Sequence, residues 1–453
     1  MRTLVRLSLR VRSYPEERAL DSVRQAEARL YSTTPSNLRN HRSLSLQLWS
    51  WWGFFRKQCL VGLPWFRPAW PPGQHVMVEA RRVVRWHFGR DHGPMRRKLA
   101  QVFVTLTWPL GVLLNLWEAR SWLGPQASKR VPGALWFAIR HNVFPSEYFA
   151  YGLWQPDRRS NVDNYLYASE CTRLFKVLNR PSQPNPIDDK LAFHEMCTAH
   201  TIPTPAVLAA FAPDGRLLDF ESGRPPKHDL FVKASTGSSR AERFRSHGID
   251  FESDRGCRLK PEEFGSYLAD RARTENLTLI VQPVLSNHAD LRVQSNEALA
   301  TARLVTGRSS DGEVTPIFCV MYFGLADKVT SHGNYVTLID VANGRPLPAP
   351  PQDSPGVANF RYREFGWNEA STLPEWDAAL RHVRVAHQAC SDFVFVGWDV
   401  AFTPDGVVVL EGNAGWGAAE YQILRGEPLG CTKFADILAA RLRETPACSE
   451  HKN

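Results

Sequence analysis

The 453-residue chain has no Cys-x-x-Cys pair and no ladder of closely spaced cysteines. Its eight cysteines, at positions 59, 171, 197, 257, 319, 390, 431 and 448, are scattered. That spacing excludes a zinc finger or a disulfide framework and predicts a reduced, cytoplasmic setting. Long apolar runs are also missing. The opening MRTLVRLSLRVRS is interrupted by Arg6, Arg10 and Arg12, so no signal-peptide core is expected. The longest apolar stretch, Val102 to Trp117, spans 16 residues and contains Pro109, short of the roughly 20 needed to cross a bilayer. No repeat or low-complexity tract appears. The G-x-x-x-x-G-K pattern of a P-loop is absent, as is any recognisable RNA- or DNA-binding motif.

Charge is unevenly placed. Residues 1–150 hold 23 Lys and Arg against 8 Asp and Glu, a net +15, while the remainder holds 32 against 38, a net −6. Ten of the fifteen Trp residues fall in the basic third, among them Trp49, Trp51, Trp52, Trp65, Trp70 and Trp86. Basic residues interleaved with Trp fit a helix in an anionic membrane surface, a nucleic-acid patch, or a plain basic helical domain. Lacking a motif, nucleic acid ranks last. Arg96-Arg97-Lys98, just before the Val102 stretch, suits either a helix dipping into the inner face of a membrane or a buried helix.

The pattern sharpens toward the C-terminus. Phe395–Phe402 and Val407–Asn413 read as strands joined by Thr403-Pro404-Asp405-Gly406. Pro presets φ, Asp bonds its own backbone, and Gly supplies the left-handed position of a three-residue loop. With that loop Thr403 pairs with Val407, Asp399 lies opposite Glu411, and Gly397 lies opposite Asn413. Period 2 then puts Asp399, Glu411 and Asn413 on one face and Val400, Phe402, Val408 and Leu410 on the other. Two carboxylates among apolar neighbours repel each other and lose hydration, so a hard divalent cation compensates them. An oxygen-only set suits Mg²⁺ shared with a nucleotide phosphate. The alternative is a solvated acidic face.

Between these ends the order is α+β. A helical stretch, Leu135 to Asn179, closes at the proline-rich 180–186 boundary. Asp188 and Asp189 cap a helix over Lys190–His200, and another runs from Pro261 to Arg273. Strands are expected at Pro205–Phe211, Leu230–Ala234, Leu277–Leu285, Ala298–Thr306, Ile317–Phe323 and Tyr335–Val341, with a helix over Trp376–Cys390. Domains are therefore expected at 1–130 (basic, Trp-rich, helical or partly disordered), 131–187 (helical lead-in), 188–435 (main domain) and 436–453 (tail).

Several residues carry chemistry. Lys233 ends an apolar strand before Ser235-Thr236-Gly237-Ser238, which is either a phosphate cradle or a structural turn. Gln282-Pro283-Val284-Leu285 ends a strand that either pairs an adenine edge through its backbone or simply stops. Asp290 suits ribose hydroxyls or solvent equally. Arg303, among apolar neighbours, needs a phosphoryl group, a substrate carboxylate, or an acid such as Glu313. His194 and His200 are read as structural.

In order, Lys190, Lys233, the Ser/Gly loop, the Gln282 strand, Arg303, Asp399 and Glu411-Gly412-Asn413 resemble the ATP-grasp superfamily. LIVQPV at 279–284, followed by His288-Ala289-Asp290-Leu291, ALATARLVT at 298–306, Gly397-Trp398-Asp399 and Tyr421-Gln422 resemble its sugar-transfer-associated family over about residues 130–435. The resemblance implies an ATP-grasp fold, two α+β subdomains gripping ATP, behind a basic, largely helical N-terminal region. It implies that Lys190, Lys233, Ser235, Gly237 and Ser238 hold phosphates, that Gln282, Val284 and Leu285 form the adenine hinge with Asp290 nearby, and that Asp399, Glu411 and Asn413 bind Mg²⁺. Arg303 and Lys233 would be catalytic. The implied activity is an ATP- and Mg²⁺-dependent ligase that activates a carboxylate, on a small molecule or glycan, as an acyl phosphate. A kinase or a noncatalytic ATP-binding membrane module on the same fold are the alternatives. One departure is a loop with Gly237 alone, followed by Arg240, Arg243 and Arg245, which predicts a stiffer, more basic lid.

Overall fold

The computed structural model describes residues 74–123, 128–179, 185–220, 228–237, 241–247, 250–254, 256–291, 298–324, 335–348, 350 and 371–444. All belong to a compact unit, Lys57–Asn453. The expectations for residues 1–73, and those for Ser238 and Arg240, lie outside the described residues.

The chain runs α1 (Val76–Leu123), α2 (Val131–His141), α3 (Pro145–Ala150), α4 (Pro156–Ser160), α5 (Ala168–Leu178) and α6 (Lys190–Ala199). There follow β1 (Ala209–Phe211), β2 (Leu217–Phe220), β3 (Leu230–Ala234), β4 (Glu242–His247), β5 (Asp250–Ser253), β6 (Arg258–Leu259), α7 (Pro261–Glu275) and β7 (Leu279–Pro283). The last part comprises β8 (Thr301–Arg308), β9 (Val314–Phe323), β10 (Tyr335–Ile339), α8 (Trp376–Ala389), β11 (Phe395–Thr403), β12 (Gly406–Asn413), α9 (Ala419–Arg425) and α10 (Lys433–Arg443).

Two antiparallel sheets result, of order β2-β1-β7-β3-β4-β5-β6 and β10-β9-β8-β11-β12. In the first, Leu230, Val232, Phe244, Phe251, Leu279 and Val281 pack beneath Phe264, Leu268 and Ala272 of α7. Among the described residues, Val207, Ala210, Ile280 and part of Leu191 gather on its other side. The second sheet is covered on both faces. Trp398, Val400, Phe402, Val407 and Val409 meet α8 and Phe193 of α6. Val305, Phe318, Val320 and Phe395 meet α1, α5, α9 and α10. Every residue of β11 is buried, each large apolar side chain there contributing about 1.5–3 kcal/mol.

The helical stretch before the sheets is broken, with Pro145 and Pro156 each starting a new helix at its first turn. Arg81 of α1 ties this layer to α5: its Nε and Nη2 donate to Glu170 at 2.7 and 3.1 Å, and its remaining N–H groups reach the Asp163 and Tyr165 carbonyls. At Gly93, φ of 73° breaks α1 into two helical pieces.

The hairpin departs from expectation in two compensating ways. Thr403 pairs with Gly406, not Val407, and the Thr403 hydroxyl donates to the Gly406 carbonyl at 2.7 Å. That alone would set Asp399 opposite Leu410. A bulge between Asp399 and Val400 absorbs the extra residue and restores Asp399 opposite Glu411 and Gly397 opposite Asn413. The same shift puts Val407 and Val409, not Val408 and Leu410, into the core.

A second correction concerns the arginines after Gly237. Arg243 and Arg245 lie on β4, not in the loop, and Arg243 Nη2 donates to Asp229 at 2.8 Å. The β4–β5–β6 meander had no sequence expectation, because its apolar content is little more than Phe244, Phe251 and Leu259.

Candidate functional site

Lys190 is the first residue of α6. Asp189 caps that helix, its Oδ1 accepting the Leu191 and Ala192 N–H groups at 2.8 and 3.3 Å. The same oxygen accepts the Ser235 hydroxyl, Lys190 N–H donates to the Ser235 carbonyl at 2.9 Å, and Asp189 bridges to Thr236. The helix start is thus stapled to the turn after β3. Lys190 Nζ donates to the Gly237 carbonyl at 3.1 Å and lies 3.7 Å from Glu411 Oε2. One side chain therefore joins the first sheet's loop to the second sheet's edge strand.

Lys233 follows from the alternation of β3, in which Leu230, Val232 and Ala234 are buried beneath α7 and Lys233 turns to the opposite face. Burial pushes its ammonium down to about 8; Lys190 pushes the same way, while Glu411 and Asp399 oppose. Glu411 shows the complement. Burial alone would raise its pKa, but Lys190, Lys233 and Arg303 outweigh burial and hold it below the usual carboxylate range.

On the second sheet β8 and β11 set Arg303 opposite Asp399. The guanidinium grips both carboxylate oxygens, Nε to Oδ1 at 2.7 Å and Nη2 to Oδ2 at 2.8 Å. Burial disfavours its charge, yet Asp399 more than compensates and raises its pKa. Its anion is thus Asp399, not the exposed Glu313. Asn413 Nδ2 lies 3.4 Å from Asp399 Oδ2. The approach is tight at Gly397, where a Cβ would fall 2.7 Å from Trp416 Cβ and 3.2 Å from Arg303 Cδ. Behind Asp399, Trp398 Nε1 donates to Thr306 Oγ1 at 2.8 Å, which pairs with His387 Nδ1 at 2.7 Å; His387 Nε2 lies 3.0 Å from the Phe393 carbonyl. Burial holds His387 down to about 4, so it is neutral and braces β8 against β11.

Lys190, Lys233, Arg303, Asp399, Glu411 and Asn413 therefore form one cluster drawn from both sheets. Among the described residues no group of three or more His, Cys, Asp and Glu could hold a metal. Asp399, Glu411 and Asn413 still form an all-oxygen set on two neighbouring strands, which fits Mg²⁺. Three cations around two carboxylates leave the cluster one positive charge in excess, which suits phosphate.

Other expected residues are placed differently. Ser235 is fully buried, its hydroxyl spent on Asp189 and its N–H on the Thr278 carbonyl, so it positions Lys190 and has no free donor for phosphate. The Gln282 side chain is buried and donates to the Pro205 carbonyl at 3.3 Å. Val284 N–H is taken by the Asp229 carbonyl at 3.0 Å, and Leu285 N–H has no partner among the described residues. Gly237 offers its carbonyl to Lys190. Asp290 is an exposed side chain 3.5 Å from His288 Nδ1. Two positioning residues had no sequence expectation: Asp189 beyond its cap, and Asn179. The latter donates to the Phe395 and Ala414 carbonyls at 3.3 and 3.4 Å and accepts Val394 N–H at 3.0 Å. Both act through contacts remote in sequence, which local pattern does not reveal.

Among solved structures, the chain is similar to an L-amino acid ligase from Bacillus licheniformis, with 12% identity, TM-score 0.35, and coverage of 64% of this chain and 61% of that one. It is also similar to a D-alanine–D-alanine ligase from Bacillus anthracis complexed with ATP, with 12% identity, TM-score 0.32, and coverage of 58% and 68%. The chain thus spans less than two thirds of the L-amino acid ligase. No curated protein matches it. The family of sugar-transfer associated ATP-grasp proteins matches residues 169–433, from α5 through the start of α10 and so across both sheets and the whole cluster. The chain belongs to the sugar-transfer associated ATP-grasp family, and its fold is that of an ATP-grasp protein.

Proposed function

We propose that the protein is an ATP- and Mg²⁺-dependent ligase that activates a carboxylate as an acyl phosphate and passes the acyl group to an amine or similar nucleophile. The observation that carries this is Lys190 Nζ, shared between the Gly237 carbonyl and Glu411. It brings phosphate-binding cations and a paired-acid site to one place, as transfer of a γ-phosphoryl group requires.

In this scheme Lys190 and Lys233 neutralise the β- and γ-phosphates, and Leu285 N–H meets the adenine edge. Asp399, Glu411 and Asn413 would hold Mg²⁺, which when bound neutralises phosphate charge and orients the triphosphate. Arg303, already charged and held by Asp399, lies beside the acids, where it can stabilise charge on the transferring group. A substrate carboxylate oxygen attacks the γ-phosphorus; the bond from that phosphorus to the β,γ-bridging oxygen breaks, and ADP leaves. An amine lone pair then adds to the acyl carbon, phosphate departs with the C–O electron pair, and the amine loses its proton. No side-chain nucleophile is needed.

The class of the carboxylate substrate, a glycan-linked or small-molecule acid, rests on the family's association with sugar transfer alone. The test is ADP release with a panel of amino and uronic acids in the presence of hydroxylamine. A ligase gives Mg²⁺-dependent ADP together with a hydroxamate from at least one acid. ADP without hydroxamate identifies a kinase, and nucleotide binding without ADP a noncatalytic module; either overturns the proposal.

A further inference from the structure

The C-terminal half of α1 leaves its apolar side uncovered. Leu99, Val102, Leu106, Leu110, Leu113 and Trp117 are each more than half exposed, and their spacings of three and four residues align them in one stripe. The helix is not loosely placed. Its opposite side is seated, with Val112, Asn115 and Ala119 buried. Asn115 Nδ2 donates to Ser146 Oγ at 2.9 Å, and Asn115 Oδ1 accepts Ser146 N–H at 2.6 Å. Anchoring through α3 fixes which side faces outward. No helix among the described residues is long and apolar enough to cross a membrane.

We propose that this stripe lies flat in an anionic membrane surface. Charge argues for that occupant over a second copy of the chain. No Asp, Glu, Lys or Arg occurs from Leu99 to Trp117, a length of about 27 Å at helical rise. A helix pair would instead have charged residues flanking the apolar seam to set partner and register. The charges stand at the ends and are mostly basic: Arg96, Arg97 and Lys98 with Asp91 before the stripe, and Arg120, Lys129 and Arg130 with Glu118 after it. They form part of the excess of 23 Lys and Arg over 8 acids in residues 1–150, the sign that anionic headgroups attract. Trp117 at the stripe's end is the residue type that settles at headgroup depth.

The test is cosedimentation of the full chain with vesicles of phosphatidylcholine alone and of phosphatidylcholine with about one third phosphatidylglycerol. The wild type should bind the anionic vesicles at least tenfold better, and added salt should weaken that binding. The double variant Leu106→Glu/Leu113→Glu should lose about tenfold or more of it, and Leu106→Ser/Leu113→Ser, which adds no charge, should also lose most of it. Both exposed positions should leave the thermal midpoint unchanged. Equal binding of the variants, or no preference of the wild type for anionic vesicles, overturns the proposal. So does a wild-type dimer in sedimentation equilibrium that the serine variant converts to monomer, since the stripe would then be a self-interface.

Discussion

The two sheets divide the work unequally. The five-stranded sheet is covered on both faces, with β11 buried throughout, and it carries Arg303, Asp399, Glu411 and Asn413. The seven-stranded sheet has one well-packed face under α7, and it carries Lys233 and the turn that Lys190 grips. The acids and Arg303 thus sit on the sheet covered on both faces, Lys233 on the sheet with the thinner cover, and Lys190 on α6, which packs Phe193 against the first of these. A closing motion would then carry Lys233 toward the acids, not the reverse.

This contrast can be broken by substitution. Asp399→Asn keeps one acceptor oxygen for Arg303 but removes a charged ligand; it should lower Mg²⁺-dependent ADP release about 10³-fold and cost about 3–5 kcal/mol of stability, because the buried guanidinium loses its counter-charge. A loss under tenfold would remove Asp399 from the metal site. Lys233→Met, on the other sheet, should cost about 10²-fold in kcat/KM, with Mg²⁺ dependence intact.

Lys233 also gives the site a pH signature. Its folded-state pKa of about 8 is below the ordinary lysine value, so the cost of its buried charge is present below about 8 and relieved as pH rises. Phosphate favours the charged form. Nucleotide affinity should therefore be flat below about 8 and fall by up to about tenfold per pH unit above it, with proton uptake on binding. Calorimetry in buffers of different ionisation enthalpy measures that uptake, and Lys233→Met should abolish it; persistence in the variant would assign the proton elsewhere.

The smallest effect is expected from the staple. Ser235→Ala removes a hydroxyl bonded to Asp189 and should cost about 1 kcal/mol of stability, with KM for ATP raised several-fold and kcat nearly unchanged. A fall in kcat alone would point to direct contact with the reacting phosphate.

The site's oxygens were legible from sequence because acids interrupting a buried strand break an otherwise apolar pattern; Lys233 stood out for the same reason. The register of Asp399 and Glu411 was correct only because an unanticipated turn and an unanticipated bulge cancel. Local turn chemistry does not encode a bulge between Asp399 and Val400, beyond the turn itself. Arg303's need for an anion was legible, but its partner is 96 residues distant and was not. The β4–β6 meander was missed because its charged alternation resembles a solvated loop, and Arg243 and Arg245 were assigned to that loop. Gln282 to Leu285 was legible as a strand end, but not that Val284 N–H and the Gln282 side-chain amide are committed to partners remote in sequence.

The central claim is that cations from one sheet and acids from the other hold a single Mg²⁺-nucleotide. A calorimetric double-mutant cycle, Lys233→Met against Glu411→Gln with a nonhydrolysable ATP analogue, tests it directly. The account predicts that each substitution weakens binding in Mg²⁺, that the two effects are non-additive, and that Glu411→Gln loses its effect when Mg²⁺ is removed. Additive losses, with the Glu411→Gln effect the same with and without Mg²⁺, would contradict it.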